Sequence, residues 1–214
     1  MALPKDLSAR WTQMMNTLAA RRAAMGRPST AFMAQPEPRS IGSFARGKQL
    51  TAGNFLFAGQ LLQRPDTSMW ELPTPEHAFA EALHGFGWLD DSVAAGDAPD
   101  RLAAQQWLWA WIDRFGNGQG PGWTPDLTGR RLIRWISHAL FLLSGQEADA
   151  SHAFHRSLAM QTIFLGRRWK ASAPGLPRFE ALTGLIYASV SLEGMEDHFG
   201  PAIAGLDREC REQI

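Results

Sequence analysis

A dense group of side chains able to do chemistry runs from Trp123 to Arg134. Trp123-Thr-Pro-Asp-Leu-Thr128 leads into an amphipathic stretch in which Arg130, Arg131 and Arg134 follow closely. With Thr128 as a cap, the spacing predicts a helix starting near Gly129, which puts all three guanidiniums in its first turns. Free N–H groups and the positive end of the helix dipole gather there, so cations are unfavourable. Three of them call for a compensating anion. One candidate is a sugar carboxylate, with the Trp123 ring as an apolar platform. The other is an acid of the same fold, such as Asp113 or Asp126. Spacing leaves both open. Arg131 and Trp135 are four apart and share a helix face, so an inward Trp135 draws Arg131 to the inner edge. A buried salt bridge from Arg131 to Asp126 or Glu180 fits that geometry as well as a bound uronate does.

Other constellations offer less. Gly116-Asn-Gly-Gln-Gly-Pro-Gly122 lacks the Gly-Lys-Ser/Thr of a phosphate loop and follows no strand, so it reads as a turn and not as a nucleotide site. His152 and His155 are three apart, with Glu147 and Asp149 one turn earlier. A metal needs three or four convergent ligands, and no His-Glu-x-x-His element is present. No Gly-x-Ser-x-Gly elbow occurs, and Cys210, the only cysteine, stands near the end of a charged helix. Neither a cofactor nor a metal is expected, and no catalytic residue emerges from spacing alone. Trp107, Trp109 and Trp111 lie two apart on one helix and point to different faces, so at least one should border a cleft or an interface.

The elements that must position these groups are helices. Phe79, Leu83 and Phe86 form a stripe after Pro75. Pro99 opens a helix through Leu108, Trp111 and Phe115. Leu132, Trp135, Ile136, Leu140 and Leu143 mark the next, which Gly145 ends. Further helices cover about Glu147 to Trp169, Phe179 to Val190, and Pro201 to Gln213. Asn54-Phe-Leu-Phe57 is an apolar run short enough for a strand, so one strand or hairpin is expected near residues 54–60. The fold class is therefore all-α, built of helical hairpins. Residues 1–50 read as an N-terminal amphipathic helix, stopped by Gly26 and Pro28, and an extended connection from Gln35 to Lys48. Residues 51–214 read as the helical body.

The 21 basic and 21 acidic residues cancel, which leaves no global field to attract nucleic acid. Charges at Lys5, Asp6 and Arg10 interrupt any secretory signal, and no run reaches the length of a membrane span. With a single cysteine as well, a cytoplasmic location is expected. The N-terminal segment carries Leu7, Trp11, Met14 and Leu18 at helical spacing, with Arg10, Arg21 and Arg22 off that stripe. The plainer expectation is that the stripe packs on the domain. The alternative is that residues 3–24 touch an anionic membrane surface.

Four segments, in order, resemble the N-terminal helical domain of heparinase II/III-type polysaccharide lyases. Asn54-Phe-Leu-Phe-Ala-Gly59 resembles that family's early apolar strand. Leu83-His-Gly-Phe-Gly-Trp-Leu89 resembles its Leu-His-Tyr-Phe-Asp-Tyr-Leu segment. Gly122 to Ile136 resembles its Trp-x-Pro-Tyr-Pro-x-Ser-x-Arg-Ile-x-Asn-Trp-Ile signature, with Trp123, Pro125, Arg131 and Trp135 at matching positions. Ala181 to Gly194 resembles the helix carrying Ala-Leu-x-Phe-Ala-Gly. The resemblance implies an incomplete (α/α) toroid, followed in complete members by a β-sandwich, and β-elimination of uronate-containing polysaccharide. It also implies an acidic polysaccharide as partner, with His84, Trp123, Arg131 and Arg134 on the substrate side.

In that reaction a Tyr or His handles the protons and an Asn or His holds the carboxylate. Where many members have Gly-Asn-His, this chain has Gly175-Leu-Pro177, whose side chains can do neither. The sequence also stops at Ile214, ahead of the family's catalytic tyrosine region and sandwich. Tyr187, the only tyrosine, lies in an apolar stripe and reads as core. Two functions remain open. One is the helical part of a lyase, inactive as this chain alone. The other is a non-catalytic helical module that binds anionic glycan or a protein partner.

Overall fold

The computed structural model describes residues 5–38 and 40–213. Leu3 and Pro4 of the candidate membrane-contact stretch, and Ile214, lie outside them. The helices are α1 (Lys5–Ala23), α2 (Phe44–Thr51), α3 (His77–His84), α4 (Trp88–Ala95), α5 (Ala98–Phe115), α6 (Pro125–Ser137), α7 (Ala139–Leu143), α8 (Ala148–Arg168), α9 (Leu176–Ser191) and α10 (Phe199–Gln213). One antiparallel hairpin joins β1 (Asn54–Phe57) to β2 (Gln60–Gln63), with Asn54 opposite Gln63 and Phe57 opposite Gln60. The chain is thus mostly helical with a single short hairpin among the described residues. Ala58 and Gly59 form its two-residue turn, both at positive φ (50° and 79°), the backbone that matches the twist of a tight hairpin. Phe55 and Phe57 point into the core, and Leu56 points out.

Side-chain contacts fix the helix directions. Trp123 Nε1 donates to Phe115 O at one end of the α5/α6 pair, and Gln105 Nε2 donates to Leu142 O beyond the other end, so the two run antiparallel. α8 is antiparallel to α6, because Trp123 meets Phe164 while Trp135 meets Phe154. α9 runs the same way as α6. Arg130 pairs with Glu180 near their starts, and the Ser137 and Tyr187 hydroxyls meet near their ends. α10 returns antiparallel to α9, with Glu209 against Arg178 and Gly205 beside Leu182.

The α6/α9 contact is backbone to backbone. A Cβ at Gly184 would sit 2.3 Å from Gly129 Cα, and one at Gly129 would sit 2.3 Å from Glu180 O. Only glycine on both sides permits this approach. Around the pair stands an aromatic core in which Trp111, Trp123, Trp135, Phe86, Phe154 and Phe164 are fully buried.

Several expected boundaries shift. Residues 44–48, expected as extended connection, begin α2, which Ser43 caps by accepting from Arg46 N. The helix can form there because Gly47 lets it lie directly on Asp91 and Ala95 of α4. The single helix expected from Thr128 to Gly145 breaks at His138 (φ −106°, ψ 18°) into α6 and α7. The stripe through Phe86 is interrupted as well, since Phe86 sits at φ +59° between α3 and α4. The largest difference concerns α1. It packs on α8 through Asn16, Ala20 and Ala23, which are buried, while Leu7, Trp11, Met14 and Leu18 are exposed. The stripe expected to pack inward faces out. No helix among the described residues is long and apolar enough to cross a membrane.

Candidate functional site

Arg131 lies at the centre of the molecule, fully buried. Its Nε donates to Gln161 Oε1 (2.6 Å), its Nη1 to the carbonyls of His84 (3.2 Å) and Gly122 (3.0 Å), and its Nη2 to Thr128 Oγ1 (3.3 Å). The guanidinium also stacks 4.1 Å from the Trp111 ring and 5.7 Å from Trp123. Its partners are thus neutral dipoles and π-faces, not the Asp126 or Glu180 carboxylate that spacing allowed. Burial pushes the Arg131 guanidinium down to about 9, with Asp126 acting in the opposite sense from a distance. The fold occupies every edge of this fork and leaves none for a sugar.

Two other candidates share that interior. Trp123 has no solvent exposure, lying between Trp111 and Phe164 with its N–H on Phe115 O (2.7 Å). Neither of its faces can serve as a platform for a sugar ring. His84 is 3% exposed, and its Nδ1 accepts from Trp111 Nε1 at 3.1 Å. Burial, with Arg131 and Arg114 adding positive charge nearby, pushes His84 down to about 3. It is a neutral acceptor that braces the indole.

These arginines also lie further from the start of α6 than the sequence spacing implies. α6 starts at Pro125, not near Gly129, because proline suits the first helical turn, where its missing N–H has no partner to lose. Arg130, Arg131 and Arg134 are therefore its sixth, seventh and tenth residues, beyond the turn where the macrodipole acts, and Asp126 occupies that first turn favourably.

Arg134, the fourth candidate, is the one that reaches a surface recess. A cleft of about 330 Å³ opens between α2, the hairpin, the α3–α4 turn and α6. Arg46, Arg130 and Arg134 line it together with Glu81, Asp91, Gln49, Asn54 and Trp88. Arg130 Nη2 pairs with Glu180 Oε2 at 2.7 Å. Arg134 Nε stands 3.3 Å from Asp90 Oδ2, and Asp90 Oδ1 meets His138 Nε2 at 2.7 Å. Burial works to raise the Asp90 carboxyl, but the His138 hydrogen bond and the Arg134 charge outweigh it and hold it below the usual range.

The Arg130 Nε–H is buried without a hydrogen-bond partner, and the Arg134 Nε–H has only the Asp90 carboxylate at ion-pair distance. Gly85 and Gly87 lie directly against these side chains: a Cβ on Gly85 would sit 3.4 Å from Arg130 Cδ, and one on Gly87 would sit 3.9 Å from Arg134 Nε. Between them Phe86 takes its left-handed backbone, at a cost of about 1 kcal/mol or more. Packing of its ring against Trp70, Trp88, Trp111 and Trp135 holds it there.

Arg46, Gln49 and Asn54 are not legible as site residues, because Arg46 falls in a stretch that reads as a connection, Gln49 carries no motif, and Asn54 reads only as the start of a strand. Of the three adjacent tryptophans, Trp111 is core, whereas half-buried Trp107 borders a hollow with Thr51, Phe55 and Pro65. His155 turns inward against Phe32 and His152 outward, so they do not converge, and no cluster of three or more metal-ligating side chains occurs among the described residues. The Gly116–Gly122 loop supports α1: Gly118 lies against Ala20, and Gln13 Nε2 donates to Gly120 O.

No family model matches the chain, and no solved structure matches it. Over 133 residues, 62% of its length, the chain is 29% identical to FtsZ-localized protein C of Caulobacter vibrioides. The matched stretch covers 23% of that protein, so the chain spans about a quarter of this relative.

Proposed function

We propose that this chain is the helical part of a polysaccharide-lyase-like protein and that it holds an acidic glycan, without cleaving it, in the cleft between α2, the hairpin and α6. The observation that carries the reading is the meeting of three guanidiniums, those of Arg46, Arg130 and Arg134, with the amides of Gln49 and Asn54 around one cleft, where they outnumber the acidic Glu81 and Asp91. Guanidinium binds carboxylate through parallel hydrogen bonds, and Gln49 and Asn54 offer partners for sugar hydroxyls. The helix arrangement supports the same reading. α6 and α9 run side by side in one direction, with α5, α8 and α10 antiparallel around them, as an incomplete (α/α) toroid requires.

The chemistry of the cleft favours binding over elimination. Neither a tyrosine nor a histidine is among its lining residues. The Tyr187 hydroxyl is engaged by Ser137 and by Pro36 O, and His84 is buried and neutral. Titration with oligogalacturonate or heparan sulfate oligosaccharides tests this. Binding should occur without the ultraviolet absorbance of an unsaturated uronate, and Arg46→Gln together with Arg134→Gln should weaken it about tenfold or more. Equal binding of a neutral oligosaccharide, or the appearance of that absorbance, would sink it.

A second reading, a module that binds a protein partner, draws on the relative's name, which ties that protein to FtsZ. Co-sedimentation of this chain with FtsZ polymers, unaffected by the Arg46 and Arg134 changes, would favour it over the first.

A further inference from the structure

α1 is built the wrong way round for a helix that exists to fill a core. Its buried side is Asn16, Ala20 and Ala23, and its contacts to the body are polar or small: Arg168 Nε donates to Asn16 Oδ1 (2.8 Å), and Gly118 abuts Ala20. Its large apolar side chains point away. Leu7 is 50% exposed, Trp11 59%, Met14 52% and Leu18 40%. At 3.6 residues per turn these four fall within an arc of about 60°. Just past the helix, Met25 is exposed on the same side of the chain's rim with Leu18, Met15 and Arg22, around a shallow recess shared with Arg167 and Arg168.

The charges around this stripe are of one sign. From Leu7 to Pro36 the sequence has Arg10, Arg21, Arg22 and Arg27 and no acidic residue, in a chain whose charges cancel overall. On the helix, Arg10 and Arg21 border the apolar arc on one side and Arg22 borders it on the other, all three exposed. Exposed Arg167 extends the basic rim from the end of α8. Large apolar side chains at the centre, an aromatic ring among them and long basic side chains on the flanks match the depth profile of a bilayer surface. There, apolar groups sink between acyl chains while guanidiniums stay with anionic headgroups.

We propose that α1 lays this domain on an anionic lipid surface, with Leu7, Trp11, Met14 and Leu18 inserted and Arg10, Arg21 and Arg22 at headgroup level. A bilayer suits this face better than a second copy of the chain, since two such helices would bring like charges together on both flanks. The inference is independent of the glycan reading, because the cleft residues do not belong to α1.

The test is co-sedimentation of the whole chain with vesicles of phosphatidylcholine and phosphatidylglycerol in equal parts, and with vesicles of phosphatidylcholine alone. The chain should sediment with the mixed vesicles and much less with the neutral ones, and added salt should release it. Trp11→Ser with Met14→Ser should lower the partition by about tenfold or more, as should Arg10→Gln with Arg21→Gln and Arg22→Gln. Unchanged circular dichroism and melting would establish that these exposed substitutions leave the fold intact. Three results would overturn the proposal: no sedimentation with mixed vesicles, equal sedimentation with neutral ones, or a dimer by light scattering that the Trp11 and Met14 changes abolish.

Discussion

Helices α1 and α6 make opposite use of their side chains. α6 carries an arginine to the centre of the protein, where six polar or aromatic groups receive it. α1 leaves a tryptophan and a leucine in solvent and buries an asparagine and two alanines. Residue type alone would have assigned these positions the other way. Burial follows the surface each helix is offered. α6 is surrounded by α5, α8 and α9, so even its charged positions must find partners inside. α1 packs mainly on α8 and a glycine loop, which accept small residues at close range and leave the large ones exposed.

Truncating Arg131 should break this contrast most severely. Arg131→Ala strips the partner from Gln161 Oε1 and from the carbonyls of His84 and Gly122, each worth about 1–3 kcal/mol when left buried and unpaired. A total loss of about 4 kcal/mol is expected in urea denaturation, and a loss below about 1 kcal/mol would mean that the guanidinium is not what organises this core. Next comes the glycine seam. Gly184→Ala places a Cβ against Gly129 backbone, and overpacking of a rigid contact should cost about 3 kcal/mol. An unchanged denaturation midpoint would show that α9 can shift without penalty.

The pH dependence of stability sharpens the same comparison. His84 is held at about 3 in the fold and titrates near 6.5 when unfolded. Between those values the unfolded chain binds the extra proton. The stabilisation is thus complete above pH 6.5 and declines as pH falls toward 3, by about 1.4 kcal/mol per unit. His198, also lowered by burial, contributes in the same direction. The diagnostic quantity is therefore the difference from His84→Gln, which should lose about one proton's worth of slope. The smallest effect belongs to α1: Trp11→Ser should change stability by no more than about 0.5 kcal/mol. A larger loss would mean that the exposed ring supports the fold after all.

Much of the helical plan was legible because periodicity records a face that stays buried along a whole element. α5, α8 and α9 are legible close to their observed spans, and the shortness of the apolar run Asn54-Phe-Leu-Phe57 points to the hairpin strand, although four residues are too few for periodicity to separate strand from helix. Punctuation was harder. Pro125 starts α6 about one turn ahead of Thr128, which is also a good capping residue by type. Only a start at Gly129 would put the arginine charges at the helix end. The burial of Arg131 had its own signal, since Leu127, Arg131 and Trp135 recur four apart along one face. α2 was missed because its eight residues hold two basic side chains and a glycine, and its stability comes from contact with α4. The cleft arginines were split accordingly. Arg134 was read from its cluster, and Arg46 comes beside it only through tertiary packing.

The same-direction pairing of α6 and α9 also has a kinetic consequence. Two antiparallel helices can meet as soon as a short turn closes, but these two cannot. Gly129 and Gly184 are 55 residues apart in the sequence, and the whole of α8 must be laid down before they touch. Closing so long a loop costs chain entropy before its contact returns anything. The α5–α6 and α9–α10 hairpins can therefore assemble early and separately, and the seam between the two glycines is the step on which the rate of folding should depend.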